Sequence, residues 1–122
     1  MDRKAFETYV LDSYGVRADY PWESPTDAVF RHADNRKWFA LLMTLPASRL
    51  GLEENSPLDV VNLKCSPVLL GAMLTEEGVF PAYHMNKDHW ISVALDRVDE
   101  DKLRWVLDES FSLTARKRRQ KG

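Results

Sequence analysis

Asp59-Val60-Val61-Asn62-Leu63-Lys64-Cys65-Ser66-Pro67-Val68-Leu69-Leu70-Gly71-Ala72-Met73-Leu74 changes its hydrophobic period half-way along. Up to Cys65 the residues alternate: Val61, Leu63 and Cys65 share one face, and Val60, Asn62 and Lys64 share the other, which is the period of a strand. Ser66-Pro67 then opens a helix, a serine cap followed by proline at the first helical position, where no N–H is needed. That helix runs through Leu69, Leu70, Met73 and Leu74, and Gly78 is expected to end it. A strand passing straight into a helix makes this a mixed α and β chain.

Upstream, residues 2 to 14 read as an amphipathic helix, with Phe6, Tyr9, Val10, Ser13 and Tyr14 on one face, Asp2 as cap and Gly15 just past the end. Pro21 and Pro25 make residues 19 to 25 a loop. Ala28–Arg31 and Lys37–Met43 read as paired strands around an Asp34-Asn35 turn. The second of these is apolar on both faces and so belongs inside a sheet. Residues 44 to 57 have no sustained period and read as a long connection, with a turn of helix at Ala47 to Leu50. Downstream, Trp90 to Leu95 is a strand with Ile91, Val93 and Leu95 on one side. Asp99 begins a last helix whose inward stripe is Leu103, Val106, Leu107, Ser110 and Phe111. The order is helix, strands, helix, strand, helix. It predicts an α+β fold in which the first and last helices cover one face of an antiparallel sheet and leave the other face more exposed.

At 122 residues and 44% hydrophobic content the chain suits one domain with one core. Its longest apolar run, Trp38 to Met43, is far short of the ~18 residues a membrane helix needs. The N-terminus, Met1-Asp2-Arg3-Lys4, lacks the apolar segment of a secretory signal. Cys65 is the single cysteine, so no internal disulfide can form. These features lead us to expect a cytoplasmic protein. The net charge of −2 hides an asymmetry. Arg116, Lys117, Arg118, Arg119 and Lys121 crowd the C-terminus, leaving 12 basic against 19 acidic residues elsewhere, a balance of −7. We therefore divide the chain into a domain over residues 1–114 and a basic tail over 115–122.

Residues 79–95, Val-Phe-Pro-Ala-Tyr-His-Met-Asn-Lys-Asp-His-Trp-Ile-Ser-Val-Ala-Leu, resemble the MmcQ/YjbR family, which has a proline-containing approach, His, an apolar residue, Asn-Lys, and His-Trp entering a strand. Pro21-Trp22, Phe39-Ala40, Leu63-Lys64-Cys65-Ser66-Pro67 and Asp108-Glu109-Ser110-Phe111 extend the resemblance to about Thr114. It implies a fold like that of CyaY, the bacterial frataxin, with two helices on an antiparallel sheet. Members of the family are commonly described as DNA-binding proteins with a double-wing arrangement. The resemblance brings no catalytic residue.

The candidate nucleic-acid-binding residues are Lys64, His84, Asn86, Lys87, His89, Trp90 and the tail's Arg116, Lys117, Arg118 and Arg119. Lysine and arginine neutralise phosphate, asparagine can hold a polar edge, and Trp90 or Tyr83 can stack on a base. Turn chemistry accounts for Asn86-Lys87-Asp88 equally well, and a solvated charge run accounts for the tail. His84 and His89, five apart, match no two-histidine zinc spacing. Cys65 sits on the apolar face of its strand, as a structural thiol does, and the chain has no glycine-rich phosphate loop. The expectation is a non-catalytic, cofactor-free and metal-free binding module, monomeric, with DNA as its partner. The alternative is a protein- or small-ligand-binding domain that uses the exposed sheet face.

Overall fold

The computed structural model describes residues 1–116. Three α-helices, α1 (Arg3–Tyr14), α2 (Pro67–Met73) and α3 (Glu100–Thr114), and one 3-10 turn, η1 (Ala47–Leu50), accompany five strands. The strands are β1 (Ala28–Arg31), β2 (Trp38–Pro46), β3 (Pro57–Lys64), β4 (Val79–Pro81) and β5 (Trp90–Ala94). They form one antiparallel sheet in the order β1-β2-β3-β5-β4. The expected α+β architecture is present.

Local chemistry explains most boundaries. The Asp2 carboxylate accepts the Ala5 N–H at 2.8 Å and starts α1, and Gly15, at φ 68°, ends it. Ser66 accepts the Val68 N–H ahead of α2, and Asp99 accepts the Lys102 N–H ahead of α3. β2 runs to Pro46, three residues past the expected end, so the connection to β3 covers only residues 47–56. The ladder closes on Pro46 opposite Pro57, at a terminus where proline's missing N–H costs little.

Gly78 does not end α2, which stops at Met73. Gly78 instead sits at φ 82° where the backbone of Val98 passes so close that a Cβ would stand 2.6 Å from its nitrogen. The short strand β4 follows it, in a stretch whose three residues, Val79-Phe80-Pro81, are too few to display a period. Ser13, expected on the inner face of α1, is exposed; the buried stripe there is Phe6 and Val10, with Tyr9 and Tyr14 packed against it.

The main core lies between the helices and one sheet face: Phe6 and Val10 from α1, Leu103, Val106 and Leu107 from α3, and Phe30, Leu42, Leu63, Ile91 and Val93 from the strands. All of these are fully or almost fully buried. A bulge between Phe30 and Arg31 shifts the β1–β2 register. Beside it the Ser110 hydroxyl accepts the Lys64 N–H at 2.8 Å and donates to the Phe39 carbonyl at 2.6 Å, joining α3 to β2 and β3.

The second sheet face is not open, contrary to expectation. Val29, Leu41 and Met43 are covered by Tyr83 and Met85, and Val60 and Leu58 by η1 with Leu50 and Leu52. No helix among the described residues is long and apolar enough to cross a membrane.

Candidate nucleic-acid interface

The segment from Ala82 to His89, between β4 and β5, lies over that second face and is held by two polar side chains beneath it. Asn62 on β3 and Ser92 on β5 face each other in register and are both fully buried. Ser92 donates to the Asn62 Oδ1 at 2.5 Å and accepts the Tyr83 N–H at 2.8 Å, while the Asn62 Nδ2 donates to the Tyr83 carbonyl at 2.8 Å. The pair thus takes up both polar backbone groups of Tyr83. Among the described residues no buried side-chain polar atom lacks a partner, as the cost of burying one requires.

This anchoring places the candidates individually. Tyr83 is half-buried against Val29, Leu41 and Met43, so its ring serves the second core and is not a free stacking platform. His84 is exposed with φ 58°. Asn86 is the turn residue: its Oδ1 accepts the Asp88 N–H at 2.9 Å and its carbonyl accepts the N–H groups of His89 and Trp90. Lys87 and His89 are exposed, and the His89 carbonyl accepts the Cys65 N–H at 2.8 Å. Trp90 is half-buried and pairs in register with half-buried Lys64. Cys65 is buried, and its thiol pKa is raised first by burial and then by nearby Glu109. Arg116 is exposed; Lys117, Arg118 and Arg119 lie outside the described residues.

The topology brings several of these cations to one end of the sheet. There β1 ends and β2 begins, with Arg31 in register with Trp38; β3 ends and β5 begins, at the Lys64–Trp90 pair. The C-terminus of α3 arrives at the same end, where Asn35 of the β1–β2 turn donates to the Thr114 carbonyl at 2.9 Å and His32 hydrogen-bonds the Thr114 hydroxyl at 2.8 Å. This end therefore collects Arg36 and Lys37 from the β1–β2 turn, Lys64 from β3, Lys87 from the turn before β5 and Arg116 from the exit of α3. None of the five forms an ion pair with another described residue. Asp34 and Asp88 occupy the same turns, and the Asp34 carboxylate caps its own, accepting the Asn35 N–H at 2.7 Å.

At the opposite end several cations are ion-paired, although Arg3, Lys4 and Arg49 have no carboxylate partner among the described residues. Arg97 pairs with Glu54, Lys102 with Glu76, and Arg104 with Glu100 and Asp101. Arg36 and Lys37 were not singled out from sequence. Each sits beside a turn signal, and only the seating of α3 brings them near the tail. Two clefts flank Tyr83 and His84. One, of about 470 Å3, is lined by Arg49, Leu50, Pro81, Ala82, Tyr83, His84 and Lys87. The other, of about 570 Å3, is lined by Trp22, Asp27, Leu41, Met43, Leu45 and neighbouring polar residues.

These features define a small α+β domain: a five-stranded antiparallel sheet, helices on one face, and loops closing the other. The Asn-Lys turn entering β5 is its most distinctive local element. The chain belongs to the YjbR family, whose model matches residues 11–113. It is 39% identical over 116 residues to the uncharacterised protein YyaQ of Bacillus subtilis, covering 93% of this chain and 98% of that one. A crystal structure of a Pseudomonas syringae protein superposes with a TM-score of 0.91 at 43% identity, over 94% of this chain and 100% of that one. A solution NMR structure from the same organism superposes at 0.88 and 41% identity, over 98% of each chain. A Deinococcus radiodurans protein with a DUF419 domain shares the fold, at a TM-score of 0.61 and 24% identity over 92% of this chain and 78% of that one.

Proposed function

We propose that this YjbR-family domain is a non-catalytic module that binds DNA in the cytoplasm through phosphate contacts. The observation behind this reading is the convergence of Arg36, Lys37, Lys64, Lys87 and Arg116 at one end of the sheet without ion-pair partners among the described residues. A cation already paired with a carboxylate must give up that partner to meet a phosphate, and an unpaired one exchanges only solvent and counterions. The sequence of the tail adds Lys117, Arg118, Arg119 and Lys121 next to Arg116. The Asn86 side chain is partly engaged in its turn, so its role is to present Lys87 in a fixed position. His89 and Trp90 flank the same surface.

A catalytic reading finds less support. The Cys65 thiol is buried and its thiolate disfavoured.

Fluorescence anisotropy with labelled duplex and single-stranded DNA tests the proposal. Affinity is expected to fall with salt on a log–log slope of about −4 from the five converging cations, steepening to about −8 with the four further cations of the tail. Absence of binding at low salt, or binding indifferent to salt, would falsify it.

A further inference from the structure

We propose that the cleft between η1 and the 82–87 segment binds a small organic phosphate monoester, with Arg49 belonging to this cleft alone and Lys87 shared with the surface proposed for DNA. Its volume of about 470 Å3 falls in the range of small-molecule sites. Its charged residues are both cationic: Arg49 enters from η1 and Lys87 from the opposite wall, beside His84, with no carboxylate among the lining residues. The adjacent cleft, on the other side of Tyr83 and His84, includes Asp27. The anion preference is therefore confined to one of the two.

Both walls are firmly seated. Ala47 and Leu50 of η1 pack on Leu58 and Val60, which fixes the helical turn from which Arg49 projects. The opposite wall is pinned through Tyr83 by the buried Asn62–Ser92 pair. Preorganisation of this kind lowers the ordering cost of binding.

The chemistry selects the ligand class. A guanidinium offers a planar fork that matches two oxygens of a phosphate, and a lysine adds a point charge on the third. Arg49 and Lys87, joined by a histidine able to donate, suit a dianion better than a single carboxylate. Leu50, Pro81 and Ala82 supply apolar wall beside the cations, which favours an organic ester over the bare ion.

The test is a titration of the 15N-labelled full chain with phenyl phosphate, inorganic phosphate and a short DNA duplex, followed by amide NMR. Phenyl phosphate is expected to shift Leu50, Tyr83, His84 and Lys87 in a saturable way. Arg49→Ala should weaken it about tenfold or more, the loss of one charge-assisted hydrogen bond. Inorganic phosphate should bind the same amides more weakly. The double variant Arg36→Ala/Lys64→Ala should leave phenyl phosphate binding unchanged, and Arg49→Ala should leave duplex affinity unchanged. The failure of either proposal is thus distinguishable from that of the other. Absence of saturable shifts at these amides, insensitivity to Arg49→Ala, or inorganic phosphate binding as tightly as the ester would each overturn the assignment. So would a loss of duplex affinity in Arg49→Ala, because the cleft would then belong to the nucleic-acid surface.

Discussion

Asn62 sits at the centre of the sheet, fully buried, on the face opposite the main core. Its amide and the Ser92 hydroxyl replace water for the Tyr83 backbone, and leaving such a group unpaired costs about 1–3 kcal/mol. Asn62→Ala is expected to destabilise the domain by about that amount in urea unfolding, and to broaden or shift the amide resonances of Tyr83 and His84. A change under half of it, with those resonances unmoved, would show that the loop is held by its apolar contacts alone. Gly78 is a second position where one residue type is required. Its φ of 82° and the Val98 backbone nitrogen 2.6 Å from any added Cβ leave no room for a side chain. Gly78→Ala should cost about 2–3 kcal/mol by thermal or chemical denaturation, whereas Gly71→Ala, in α2 with open space around its Cβ position, should be neutral or stabilising.

At the scale of elements, α1 and α3 run parallel across one sheet face. Their N-termini meet where the Met1 amine lies 3.4 Å from the Glu100 carboxylate. Further along, Tyr14 stacks on Phe111 with centroids 4.5 Å apart and donates its hydroxyl to Asp108. Burial first, then the hydrogen bond to that carboxylate, pushes the Tyr14 phenol pKa well above its ordinary value. The folded state therefore holds this proton more tightly than the unfolded chain does. The associated stability is complete below the unfolded tyrosine pKa of about 10 and is lost as pH rises beyond it. Melting temperature should fall more steeply above pH ~10 in the parent protein than in Tyr14→Phe, which has no proton to lose there. Identical alkaline slopes would show that Tyr14 is not the linked group.

At the scale of the whole molecule, charge is sorted by position. Glu76, Glu100 and Asp101 pair with cations near the N-terminus of α3, while Arg36, Lys37, Lys64, Lys87 and Arg116, at the end where α3 terminates, have no ion-pair partner among the described residues. A chain with a net charge of −2 can attract a polyanion only through such local segregation. Removal of residues 116–122 should reduce the salt slope of DNA binding by about 4 to 5 while leaving the fold intact, since five cations leave with that segment. Lys64→Ala and Lys87→Ala should each reduce it by about 1. Unchanged slopes in all three variants would place the phosphate contacts elsewhere.

The sequence alone determined the elements with a strong period or clear punctuation. Asp2, Ser66 and Asp99 cap their helices as their spacing implies. The alternation from Val60 to Lys64 is a strand, and the resemblance carried by the Asn86-Lys87-x-His89-Trp90 string identified the family. Such signals are local, so they survive without knowledge of the partner element. β4 escaped notice because three residues cannot show a period, and Gly78 was read as a helix end because its true neighbour, Val98, is 20 positions away. Only the tertiary structure closed the second sheet face, grouped Arg36 and Lys37 with Lys64 and the exit of α3, and set Arg49 across a cleft from Lys87. Each of those outcomes depends on how segments distant in sequence pack together, and packing joins residues that no local pattern links.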